Sequence, residues 1–87
     1  MKIIKRNGAE EAFDQGKISS AIRKANGTVE EKYRLTDLQI DRIAEAVILS
    51  CEQLNRTPTV EEIQDFVEDQ IMAHGAFEVA KHYITYR

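Results

Sequence analysis

The chain has 87 residues, 43% of them hydrophobic and 31% charged, with a formal net charge of −3 at neutral pH. This is the balance of one small globular domain: no apolar run approaches the roughly 18 residues of a membrane span, and neither a signal-peptide core nor a disorder-prone tract is present. Its single cysteine, Cys51, excludes an internal disulfide and a four-cysteine zinc site, and an acidic chain without a long basic stripe argues against nucleic acid as a direct partner.

Lys2-Ile3-Ile4-Lys5-Arg6-Asn7-Gly8 opens the chain, and Asn-Gly between two short β-prone runs predicts a hairpin with a two-residue type I′ turn. That turn pairs Arg6 with Ala9, Lys5 with Glu10, Ile4 with Glu11 and Ile3 with Ala12. A two-stranded ribbon is marginal alone and must lie on something. After Asp14, a capping residue, the spacing of Ile18, Ala21, Ile22 and Ala25 predicts a helix that runs to Asn26-Gly27, a left-handed stop signal. Residues 28–34 are polar and read as a loop.

Thr36-Asp37-Leu38-Gln39 is a capping box, with Leu35 and Ile40 placed as a hydrophobic staple. The helix it starts carries Ile40, Ile43, Ala44, Val47, Ile48, Cys51 and Leu54 as one apolar stripe, which marks it as the central core helix. Asn55-Arg56-Thr57-Pro58 breaks it, and Thr59-Val60-Glu61-Glu62 is a second capping box. Val60, Ile63, Val67 and Ile71 give the third helix its buried face, His74-Gly75 ends it, and Phe77, Ala80, Tyr83 and Ile84 form the stripe of a fourth. The fold class expected is mainly α (α+β), a four-helix bundle capped by an N-terminal β-hairpin lid, as one domain over residues 1–87. Because the last helix reaches Tyr86-Arg87 without a terminating residue, the expectation is an N-terminal domain of a longer chain.

Charge is unevenly spread. Residues 1–24 hold six Lys/Arg against three Asp/Glu, residues 25–80 four against twelve, and residues 81–87 add two cations. If the last helix returns beside the first, the two basic ends converge on a local anion site. Lys5, Arg6, Lys17 and Lys81 would then surround the start of the first helix, where unpaired N–H groups favour phosphate. Gly16 would let a ligand approach the backbone, Phe13, Ile18 and Ile22 could wall a purine, and Glu11 and Asp14 could accept from an exocyclic amino group. The competing reading is that the apolar residues only seat the hairpin. Neither a phosphate-binding loop nor a dinucleotide fingerprint is present, His74 and His82 make a poor metal pair, and nothing joins a nucleophile to a general base. Catalysis by this segment, or a metal in it, is not expected.

The pattern I-x-K-R-N-G-x-x-E-x-F-D-x-x-K-I-x-x-A-I-x-K-A from Ile3 to Ala25 resembles the opening of the ATP-cone domain. The segments Val60-Glu61-Glu62-Ile63-Gln64-Asp65-x-Val67-Glu68 and Val79-Ala80-Lys81-x-Tyr83-Ile84-x-Tyr86-Arg87 resemble the rest of that family. The resemblance implies a regulatory domain that binds ATP or dATP, with magnesium, at the N-terminus of a ribonucleotide reductase, where ATP activates and dATP inhibits. It assigns phosphate contacts to Lys5, Arg6 and Lys17, and by a weaker transfer Lys81. Glu11 and Asp14 fall near the base, and Ile3, Phe13, Ile18 and Ile22 on the pocket wall. Val60 stands where some members carry a polar phosphate contact.

A repressor branch of the family carries a zinc ribbon with two C-x-x-C pairs, which one cysteine cannot supply, so the reductase context is favoured. Within it, the motifs most resemble the anaerobic, glycyl-radical class that reduces ribonucleoside triphosphates. The expected partners are an adenine nucleotide, a downstream reductase domain and, as further candidates, other reductase subunits, in the cytoplasm and without membrane attachment. The alternatives are a ligand-independent helical interaction module and the cone of a transcriptional repressor of reductase genes.

Overall fold

A computed structural model describes residues 1–87. Its first elements are β1 (Lys2–Ile4) and β2 (Glu10–Ala12), antiparallel, with Lys2 opposite Ala12, Ile3 opposite Glu11 and Ile4 opposite Glu10. The hairpin forms, but one residue out of the expected register. Its turn has three residues: Lys5 N donates to Ala9 O at 2.8 Å, and Gly8 N donates to Lys5 O at 2.9 Å. Only Gly8 takes a positive φ there, +85°, so the turn is a tight bend closed by a left-handed glycine. Asn7 instead accepts the Ala9 N–H on its Oδ1 at 3.0 Å. A slip of one residue exchanges the faces of a ribbon. Here it puts Glu11 on the face of Ile3 and Lys5, with Lys5 and Glu11 3.8 Å apart, and Ile3 is buried against the helices. The other edge of β1 is bonded to the bundle, since Ile4 N donates to Pro58 O at 2.9 Å in a one-residue parallel bridge with Thr59.

Four helices follow: α1 (Gln15–Asn26), α2 (Asp37–Glu52), α3 (Val60–Ala73) and α4 (Phe77–Tyr86). Asp14 caps α1, its Oδ1 accepting from Lys17 N at 3.1 Å. Both capping boxes form reciprocally, Thr36 with Gln39 and Thr59 with Glu62. The Glu62 carboxylate also takes two hydrogen bonds from Arg56, at 2.5 and 2.8 Å. The Arg56 pair and then the Thr59 N–H hold its pKa down to about 2. Asn55 (φ +56°) turns the chain between α2 and α3, and Gly75 (φ +74°) between α3 and α4.

Each helix packs on the next and α4 closes the ring against α1. Ile22, Ile40, Ile43, Ile71, Val47, Val67 and Val79 are fully buried where the four faces meet. Burying a branched side chain of this size contributes about 1.5–3 kcal/mol, and Ile3, Ile18 and Ile63 are buried almost as completely. Burial lifts the Cys51 thiol pKa, with Glu62 and Glu52 adding to the effect, as suits a small core hydrophobe. No helix is long and apolar enough to cross a membrane.

Two local expectations are corrected. Gly27 is right-handed, φ −67°, so α1 does not end in a left-handed stop. Instead the Asn26 side chain clamps the chain nine residues on, donating to Leu35 O at 3.1 Å and accepting from Leu35 N at 2.8 Å. Arg34 tightens the same segment by donating to Val29 O and Gly27 O, and a short 3₁₀ turn, Glu31–Tyr33, and a buried Val29 give the expected loop its own structure. On α4 the apolar stripe is rotated: Val79, Ala80 and Tyr83 are buried, whereas Phe77 and Ile84 are 60% and 48% exposed. Ten residues hold two overlapping stripes, and the one facing both α1 and α3 wins.

Candidate functional site

The start of α1 and the end of α4 line one cleft, so these helices run antiparallel and the basic ends of the chain do converge. The cleft has a volume of about 660 Å³ and is lined by Asp14, Gly16, Lys17, Ser20, Ala21, Lys24, Gln64, Tyr83, Tyr86 and Arg87. A second cavity of about 420 Å³ lies beneath the hairpin, lined by Ile3, Lys5, Arg6, Glu11, Val60, Gln64, Tyr86 and Arg87. Gln64, Tyr86 and Arg87 are the wall the two share. Volumes of about 300–1,000 Å³ are those of small-molecule sites. Cations outnumber carboxylates in both: Lys17, Lys24 and Arg87 against Asp14 in the first, Lys5, Arg6 and Arg87 against Glu11 in the second.

Nine of the residues singled out from sequence border this region, Gly16 in the cleft and Val60 in the hairpin cavity among them. Ile3, Lys5, Arg6 and Glu11 line the hairpin cavity; Asp14 and Lys17 line the cleft; Phe13 lies beside them, half-buried, with the Lys17 ammonium 5.8 Å from its ring centre. Lys17 Nζ also donates to Ala12 O at 3.1 Å, which holds it across the junction of β2 and α1. Ile18 and Ile22 belong to the core and line neither cavity. Lys81 also lines neither, and lies 3.7 Å from Glu78 on an exposed part of α4. The helix start expected to offer free N–H groups already has its own carboxylate in place, and a Cβ on Gly16 would meet Asp14 Oδ1 at 3.0 Å. Gly16 makes room for the cap of its own helix.

Ser20, Ala21, Lys24, Gln64, Tyr83, Tyr86 and Arg87 complete the walls, and the sequence pattern does not single them out as site residues. Lys24 follows Lys17 by seven residues, two helical turns, and that spacing was the available signal. Tyr83, Tyr86 and Arg87 were visible only as parts of a motif, because their place depends on how α4 docks. Arg87 is tied to α3 by Glu68, by Asp65 at 3.1 Å and by Glu61 at 3.6 Å. Arg6 is tied to α3 as well: Nε donates to Glu61 Oε1 at 2.6 Å and Nη2 to Gln64 Oε1 at 3.4 Å. Burial pushes the Tyr83 phenol pKa up to about 12, Arg87 opposing and Glu68 reinforcing the shift. The two histidine rings each make one polar contact: His74 Nδ1 lies 3.0 Å from Gln70 O, and His82 Nδ1 lies 2.7 Å from Thr28 Oγ1.

Comparison with known proteins finds relatives over the whole chain. The ATP cone domain family matches residues 1–87, the whole chain. A vitamin B12-dependent ribonucleoside-diphosphate reductase of Thermoplasma acidophilum is 35% identical over 99% of this chain and 11% of its own length. Alpha subunits of ribonucleoside-diphosphate reductase from Chlamydia pneumoniae and Chlamydia trachomatis are 37% and 32% identical over 98% and 100% of this chain, and 9% of their own. The chain therefore spans about a tenth of the length of the curated relatives it matches. All three names specify diphosphate reductases, which corrects the expectation of a triphosphate-reducing, glycyl-radical parent. The chain belongs to the ATP cone domain family, and with it to a class of allosteric, nucleotide-binding regulatory modules.

Proposed function

We propose that this chain senses adenine nucleotides for an attached ribonucleoside-diphosphate reductase in the cytoplasm. ATP or dATP, with magnesium, occupies the paired cavities, and occupancy sets the activity of the reductase through conformation or oligomerisation. The observation that carries this reading is a cation-lined cleft of nucleotide-site volume in a chain that matches the ATP cone family from end to end. Lys5, Arg6 and Lys17, joined by Lys24, are the phosphate contacts, because ammonium and guanidinium groups make charge-assisted hydrogen bonds to phosphate oxygens. Tyr86, exposed and common to both cavities, offers a face for the purine, with Ile3 and Phe13 as apolar wall and Glu11 and Asp14 as acceptors. Downstream reductase domains and other subunits are the partners, nucleic acid has no part in the reading, and a regulator must bind its two states with different affinity.

Isothermal titration of the chain with ATP and with dATP, in magnesium buffer, is the test. The expected result is saturable heat, with Lys17→Ala weakening binding about tenfold or more, the worth of one charge-assisted hydrogen bond. Heat no greater than dilution for both nucleotides would overturn the proposal. It would leave the ligand-independent interaction module, whose best surface is the exposed Phe77 and Ile84 seven residues apart on α4.

A further inference from the structure

Glu61 stands in the first turn of α3 and touches two cations at once. Its Oε1 accepts from Arg6 Nε at 2.6 Å, and its Oε2 lies 3.6 Å from Arg87 Nη2. Arg6 comes from the hairpin turn, Arg87 from the end of α4, and both line the cavity beneath the hairpin. One carboxylate therefore sits where an anion bound in that cavity would find its positive charge. The two arginines are not equally committed. Arg87 keeps Glu68 and Asp65 if Glu61 lets go, and its side chain is mostly buried. Arg6 keeps only a long contact to Gln64 at 3.4 Å, and both it and Glu61 are more than half exposed, at 62% and 51%.

We propose that Glu61 is a resident counter-anion that the phosphates of the nucleotide displace. Arg6 exchanges its partner, leaving Glu61 for a phosphate oxygen, and the hairpin changes from being tied to α3 to being tied to the ligand. This rests on the nucleotide-binding reading and adds to it a reporter of occupancy built from this chain's own residues. Guanidinium groups take carboxylate and phosphate with the same donor fork, so the exchange needs no new geometry at Arg6. An exposed ion pair is weak, so its competition reduces nucleotide affinity by only about two- to fivefold. That is small enough for the ligand to win and large enough to measure.

The experiment is isothermal titration with ATP of the unchanged chain, Glu61→Gln, Glu61→Asp, Asp65→Asn and the pair Arg6→Ala with Arg6→Ala/Glu61→Gln, each checked for helicity. Glu61→Asp keeps the charge but shortens the reach to Arg6, which separates the contact from the general field of α3. Exchange predicts that Glu61→Gln and Glu61→Asp both bind about two- to fivefold tighter, that Asp65→Asn, which removes a partner of Arg87 alone, does not, and that Glu61→Gln gains nothing once Arg6 is alanine. A gain in Asp65→Asn equal to that in Glu61→Gln, a gain that persists without Arg6, or weaker binding by Glu61→Asp would overturn it. If the unchanged chain binds no nucleotide, the functional reading falls first; if it binds and the Glu61 variants bind no better, the exchange alone is wrong.

Discussion

Replacing Asn26 by alanine removes the clamp that turns the end of α1 towards α2. The amide makes two hydrogen bonds to one distant residue, from Nδ2 to Leu35 O at 3.1 Å and from Leu35 N to Oδ1 at 2.8 Å. Each neutral bond contributes about 1 ± 0.5 kcal/mol, and the partners left behind belong to a buried residue, which pushes the cost towards the upper end. Alanine returns a few tenths of a kcal/mol as the better helix former, so the net loss is about 2 kcal/mol. For a domain of this size that lowers Tm by about 8–16 °C. Urea unfolding followed by far-UV circular dichroism measures the loss, and amide exchange at Leu35 localises it. The clamp joins the end of α1 to Leu35 and lines neither of the two cavities, so under the proposed function ATP affinity below the melting transition stays as in the parent. A variant within about 0.5 kcal/mol of the parent, with Leu35 still protected, would refute the assignment of loop closure to this side chain.

Acid should remove one contribution to stability in a defined window. Glu62 has its pKa lowered from 4.5 to about 2, so its contribution is complete above about pH 4.5 and is lost as pH falls towards 2; Glu62→Gln should flatten the urea-stability profile across that interval. Alkali acts through Tyr83 in the opposite sense: its pKa is raised from 10 to about 12, so its contribution is complete below pH 10 and disappears as pH climbs to about 12. Absorbance at the tyrosinate band should show a late ionisation step that Tyr83→Phe abolishes; its survival in that variant would contradict the assignment. The Thr28 hydroxyl has one hydrogen, which it gives to Ala25 O at 2.7 Å, so it must accept from His82. Nitrogen-15 spectra should accordingly find neutral His82 protonated on Nδ1, and a neutral ring carrying its hydrogen on Nε2 would exclude that contact.

Much of this architecture is written locally. Thr36 with Gln39 and Thr59 with Glu62 mark two helix starts because a capping box satisfies backbone donors within one turn of chain. Ile40, Ile43, Val47 and Cys51 mark the α2 core face because the helical period leaves them no other side. What was illegible depended on distant partners or on near-degenerate local choices. Asn7-Gly8 serves a two- or a three-residue turn, and the choice sets the register; β1 is further bonded through Ile4 to Pro58, which no neighbouring residue announces. Phe77 and Val79 competed for the inside of α4, and docking on α1 and α3 decided between them. At the site, Lys5, Arg6 and Lys17 stand out as cations around a turn and a helix start, whereas Gln64, Tyr86 and Arg87 become a wall only when α3 and α4 meet.

The single bond from Ile4 to Pro58 has a mechanical meaning. It stitches the β1 border of the ribbon to the bundle backbone, while Arg6 on Glu61 and Lys17 Nζ on Ala12 O hold the turn and the β2 border by side chains alone. That backbone stitch falls on Pro58 and Thr59, and Thr59 is itself the N-cap of α3, so the ribbon and the root of that helix share one anchoring point.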